Sequence, residues 1–138
     1  MTQSKPLPPV DAQSRAYWAA CNEGRLLVQR CEACSQIQHY HRVLCTQCGH
    51  DRLIDVPVSG AGTVRSFTII RRAVSSAFEA DVPYVVALIE LQEGPTIMSN
   101  IINTPLEQIA INKPVMLTFE QRSETIAIPQ FQIVETSR

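Results

Sequence analysis

Cys31 and Cys34 form one C-x-x-C pair, and Cys45 and Cys48 form another after a gap of ten residues. Each pair can wrap a tight knuckle around one side of an ion. Four thiolates at tetrahedral corners suit Zn²⁺, whose filled d shell imposes no other geometry. A catalytic zinc keeps an open position for water and four thiolates leave none, so the spacing predicts a structural ion. The gap between the pairs is shorter than the roughly 15–20 residues of common zinc modules. Two redox motifs would need βαβ surroundings that the flanks lack. His39, His41 and His50 share the stretch, at positions that suit a solvated hairpin better than a metal shell. Cys21 falls outside the pattern. With no cation close in sequence to lower its pKa, it reads as a small buried hydrophobe.

No other motif supplies chemistry. A nucleophile elbow, a dinucleotide-binding glycine fingerprint, a P-loop and an H-E-x-x-H helix are all missing. The V-S-G-A-G-T-V run around Gly60 and Gly62 has a strand after it rather than a helix N-terminus, so it reads as a bend that admits the chain to a sheet. Arg65, Arg71 and Arg72 are the best basic cluster, with Arg65 and Arg71 on one strand parity. They form either a solvated face or a grip on the phosphates of a nucleotide-like ligand. Acidic residues are scattered and no carboxylate pair sits beside a histidine, so general acid–base catalysis has no visible residues.

Composition narrows the classes further. Twelve basic and thirteen acidic residues give a net charge of −1. Four thiolates around a dication add about −2, which argues against binding a phosphate backbone. At 138 residues, 45% hydrophobic and 18% charged, the chain can bury a core but has no room for a large catalytic domain. No run reaches the roughly 18 apolar residues of a membrane span, and the first residues lack the apolar centre of a signal peptide. The expected location is therefore the cytoplasm, where thiols stay reduced and available to metal.

These groups need elements to hold them. Pro6, Pro8 and Pro9 mark residues 1–10 as an extended arm. Apolar spacing over residues 11–23, ending at Gly24, predicts a helix of about three turns, capped by Asp11 or Ser14, whose Trp18 packs on the rest of the chain. Residues 26–30 lead into the first knuckle as a strand, and residues 37–41 return from it. From Leu53 onward the pattern is β, with strands expected at 53–58, 62–71, 84–91, 96–102 and 115–120, and a last segment at 126–133. The E-G-P at Glu93 to Pro95 reads as a hairpin turn, and residues 104–113 as a short turn or helix across one end of a small barrel. The domains drawn from this reading are an arm and helix at 1–24, a zinc ribbon at 25–52 and a β-barrel at 53–138.

The succession of an aromatic helix, a four-cysteine ribbon, V-P-V-S-G-A-G-T-V-R-S-F-T-I-I, P-Y-V-V-A-L-I-E-L-Q-E-G-P and a closing P-V-M-L-T-F-E resembles the DUF35 family over Val10 to Ile133. Ser35 and Thr46 depart from that family, which often has Gly and Pro there, and both departures leave the cysteines intact. The resemblance implies a mainly β fold, with a rubredoxin-like zinc ribbon before a five-stranded OB-fold barrel. It also implies a non-catalytic partner of thiolase-like or 3-hydroxy-3-methylglutaryl-CoA synthase-like enzymes. Such a partner holds a complex together and helps bind or channel CoA thioesters, with acyl-CoA as ligand. The competing reading is a single-stranded nucleic-acid binder, work that OB barrels and zinc ribbons both do. Only Phe67 is flanked by the arginines, so interleaved stacking residues are lacking.

Overall fold

The computed structural model of the protein describes residues 5–134, so the first four residues of the expected arm lie outside the described residues. The helix α1 spans Arg15–Asn22, shorter than the apolar spacing predicts. Its start is delayed by a reciprocal pair of hydrogen bonds: the Asp11 backbone N–H donates to Ser14 Oγ at 3.1 Å, and the Ser14 N–H donates to Asp11 Oδ1 at 2.8 Å. Those bonds turn residues 11–14 before the helix begins. Gly24, at φ +84°, closes its far end.

Three strands follow: β1 (Leu27–Cys31), β2 (Ile37–Gln38) and β3 (Leu53–Pro57), in the sheet order β2-β1-β3, all antiparallel. The strand at 53–57, expected to open the barrel, pairs along its whole length with β1 instead. The barrel proper is closed, with the order β4-β5-β6-β8-β7. Its strands are β4 (Ala61–Ile70), β5 (Tyr84–Leu91), β6 (Thr96–Ile101), β7 (Pro114–Gln121) and β8 (Ala127–Ile133). The last segment read from the sequence thus supplies the fifth strand. A turn with Gly94 at φ +117° joins β5 to β6, and a 3₁₀ turn at Leu106–Gln108 crosses the barrel end as expected.

Period-two alternation sends Val85, Ala87, Ile89 and Leu91 of β5 inward to meet Val64, Ile97, Ile101, Val115 and Phe131. Cys21 of α1, and Leu26 and Val28 from the ribbon side, join the same buried cluster. Ribbon and barrel therefore share one core. The closing seam is thin, because β6 and β8 pair in parallel at the single position Ile101 and Phe131. Side chains complete it. Ser99 Oγ donates to the Pro129 carbonyl at 2.9 Å, and the Asn100 N–H donates to Gln130 Oε1 at 3.2 Å.

Gly60 and Gly62 admit the chain to the barrel. Gly60 sits at φ +93°, and a Cβ on Gly62 would lie 2.7 Å from the Glu90 carbonyl oxygen. Backbone of the neighbouring strand cannot yield as a side-chain tip does. Gly62→Ala is therefore expected to destabilise the fold by about 1–3 kcal/mol, read as a lower denaturant midpoint with an unchanged slope.

Candidate functional site

The four cysteine sulfurs lie within 4.8 Å of one another. Cys31 and Cys48 are 3.6 Å apart at sulfur, and so are Cys34 and Cys45. A tetrahedron of thiolates at the usual Zn–S length has sulfur edges of about 3.8 Å, so this four-sulfur cluster fits one zinc ion. None of the three histidines belongs to the cluster. The knuckles repeat one geometry. The Ala33 N–H points to Cys31 Sγ at 3.3 Å, the Gln47 N–H to Cys45 Sγ at 3.4 Å, and the residue after each second cysteine has positive φ. At one knuckle that residue is Gly49 (φ +79°), which takes the conformation freely; at the other it is Ser35 (φ +67°), which bears a Cβ cost. Cys31 and Cys45 are buried while Cys48 is exposed. Without a cation the sulfurs share their protons unevenly: the Cys48 backbone N–H is the chief cause that holds the Cys45 thiol down, while Cys34 and Cys48 are raised.

A buried amide network that sequence reading missed closes the ribbon behind the metal. Gln29 on β1 and Gln38 on β2 stand opposite each other, each only 7% exposed. Gln38 Nε2 donates to Gln29 Oε1 at 2.9 Å, and Gln29 Oε1 also accepts the Arg42 N–H at 2.9 Å. Gln38 Oε1 in turn accepts the Thr46 N–H at 3.0 Å. A proline at position 46 would lack that donor, so the family departure here is tied into the network.

His39 and His41 correct the solvated-hairpin reading. His39 is 7% exposed and the His41 side chain 6%. Tyr17 of α1 covers both, at ring distances of 6.0 and 5.4 Å, and itself meets Trp18 edge-on at 5.0 Å. Gln13 Nε2 donates to the His41 carbonyl at 2.7 Å, and His41 Nε2 meets Asp55 Oδ1 at 2.8 Å. These contacts pin helix, ribbon loop and β3 together. Burial, and then proximity to His41, push the His39 imidazole down to about 4.

The arginines do not converge. A bulge shifts the β4–β5 register between Val64 and Ser66, so Arg65 is the extra residue and turns outward while Phe67 and Ile69 face the core. The strand parity drawn between Arg65 and Arg71 is thereby broken. Arg65 Nη1 donates to Thr96 Oγ1 at 3.3 Å, and Arg71 and Arg72 sit past the end of β4, about 20 Å further along the strand. Cys21 is 1% exposed, and burial drives its thiol up to about 11, which disfavours the nucleophilic thiolate at neutral pH.

Two measurements test this assembly. Purified protein should carry one zinc per chain by elemental analysis, and Cys31→Ser should lose the metal together with the near-ultraviolet signal of Trp18. His39 is expected to make stability fall with acid. Its proton is bound in the unfolded chain below about 6.5 but in the folded chain only below about 4. Its contribution is therefore complete above 6.5 and is lost as pH falls towards 4. Between pH 7 and 4.5 the native protein should lose on the order of 1–3 kcal/mol more than His39→Gln. Equal losses would show that His39 is not held neutral.

Comparison with known proteins agrees with this geometry. Residues 18–53 match the ChsH2 rubredoxin-like zinc ribbon domain, and residues 55–120 match the ChsH2 C-terminal OB-fold domain. The chain is 31% identical over 128 residues to a probable enoyl-CoA hydratase alpha subunit of Thermomonospora curvata, covering 93% of this chain but 40% of that protein. It thus spans less than half of that relative. A DUF35 domain-containing scaffold protein of Pyrococcus furiosus is 33% identical over 98 residues, 70% of this chain and 71% of that one. Among solved structures, the Ltp2-ChsH2(DUF35) aldolase contains a chain that superposes with a TM-score of 0.82 at 31% identity, covering 92% of this chain and 98% of that one. Zinc ribbon, OB barrel and these likenesses together lead to one conclusion: the chain belongs to the DUF35 family.

Proposed function

We propose that this protein is a non-catalytic accessory subunit of a thiolase-like, acyl-CoA-processing complex, in which it bridges subunits and helps hold CoA thioesters. One observation carries the reading: ribbon and barrel together match, over 98% of its length, a chain solved within an Ltp2-ChsH2 aldolase. The chemistry of the described residues supports it. The metal cluster is closed by four thiolates, and Cys21, the one cysteine outside it, is buried. Chemistry would then be supplied by the partner. Exposed Tyr40, Val43 and Leu44 on the ribbon, and Leu88 and Met98 on the barrel, are apolar surface of the kind that docks on another protein. Zinc serves here to hold the ribbon's shape for that docking. Arg71 and Arg72, adjacent and exposed, are the pair we propose for CoA phosphates, with Arg65 too distant to join them at one phosphate.

Co-expression with the thiolase-like protein of the same genome checks the assignment. The two should elute as one complex, and the partner alone should lose at least tenfold in turnover. Separate elution with full activity would overturn the reading. Within the complex, replacing Arg71 and Arg72 with Glu should raise KM for acyl-CoA about fivefold or more and leave kcat unchanged.

A further inference from the structure

The groove beneath α1, between the ribbon loop and the β6–β8 seam, takes no part in the metal centre or in the arginine reading. Tyr17, Trp18, His39, His41, Met98 and Pro129 are among its walls, and it encloses about 410 Å³. Small-molecule sites usually measure about 300–1,000 Å³. No Asp, Glu, Lys or Arg lines it, and burial keeps the His39 imidazole neutral above pH 4 or so. A charged group seated here would give up part of its hydration and meet no counter-charge among the lining residues. Met98, 59% exposed, leaves apolar surface at the groove that the chain itself does not cover.

The polar groups of the groove point to a particular ligand chemistry. His39 Nδ1 and His41 Nδ1 are both buried without a hydrogen-bond partner among the described residues. Buried polar atoms are nearly always paired, and each unpaired one costs about 1–3 kcal/mol. His41 Nε2 meets the Asp55 carboxylate, so Nδ1 is the ring nitrogen left without a partner. The His39 side chain makes no hydrogen bond among the described residues, and its Nε2, unlike its Nδ1, is not sealed off, so Nε2 is the nitrogen an occupant can meet.

We propose that this groove binds an uncharged, largely apolar small molecule carrying at least one N–H or O–H donor, seated between Trp18 and Met98 with the donor on His39. Tyr40 and Met98 belong also to the apolar surface assigned above to a partner, but this chain alone forms the groove, and the site stands if no enzyme partner is found.

A matched pair of dyes tests it on the full-length, zinc-loaded chain. N-phenyl-1-naphthylamine is neutral and apolar with one N–H; 8-anilinonaphthalene-1-sulfonate has the same ring system plus an anionic group. Trp18 is the only tryptophan of the chain, so quenching of its emission reports occupancy directly. The neutral dye should quench it saturably at one site per chain, and the sulfonate should bind at least tenfold more weakly. Met98→Glu, at an exposed position, should weaken the neutral dye tenfold or more at unchanged zinc content and unfolding midpoint. His39→Phe, which keeps the ring and removes the acceptor, should weaken it about threefold to tenfold. Equal binding of both dyes, or binding that Met98→Glu leaves unchanged, would overturn the site. Non-saturating uptake would overturn it too and would mark a surface covered by a partner chain. Binding that is lost in Met98→Glu but intact in His39→Phe would overturn the role of the donor.

Discussion

Four sulfur atoms held 3.6 Å apart in pairs are the constraint on which the N-terminal half depends. Thiolates that close repel one another unless a dication sits between them, so the ribbon's shape and its metal are a single equilibrium. Cys31 ends β1, while Cys45 and Cys48 belong to the loop that returns the chain to β3. Bringing them together fixes where β3 meets β1, and the five-residue register between those strands follows. From β3 the chain enters the barrel through Gly60 at a left-handed φ that a side chain would resist. The order of dependence therefore runs from metal to ribbon sheet to barrel entry.

Two small units gain from sharing a core. A short chain buries a smaller fraction of its surface than a large one, and each unit alone would be marginal. Leu26 and Val28 lie in the same buried cluster as Val64, Ile89 and Phe131, so the ribbon contributes apolar burial to the barrel and not only a tether. The metal-proximal side of the ribbon is held differently, by the amides of Gln29 and Gln38. A fully satisfied buried network of this kind specifies one arrangement, because any slip would strand an amide group. Helix α1 then lies over both units, with Tyr17 on the imidazoles and Trp18 on the shared core. The groove exists because that helix covers the thin β6–β8 seam only in part.

Much of this was legible in the residues. Cysteine spacing announced the metal cluster because ligand geometry is local: a C-x-x-C knuckle needs only its own backbone. Alternation along β5, and the glycines at 60, 62 and 94, marked strands and turns for the same reason. What escaped were features made by pairing. Nothing local tells strand 53–57 which of two sheets to join, and its pairing with β1 follows from where the metal puts that strand. The bulge at Arg65 was equally hidden, since one extra residue in one strand shows only against its partner, and it breaks the parity that Arg65 and Arg71 share in the sequence.

Sequence alone thus determined the element types, the zinc ribbon and the family, because these rest on short-range spacing and on an ordered series of motifs. Tertiary structure alone decided that two polar glutamines are buried, that His39 and His41 lie under Tyr17 rather than in water, and that Arg65 is set apart from Arg71 and Arg72. Burial and convergence are relations between segments distant in the chain, and no residue carries them until those segments pack.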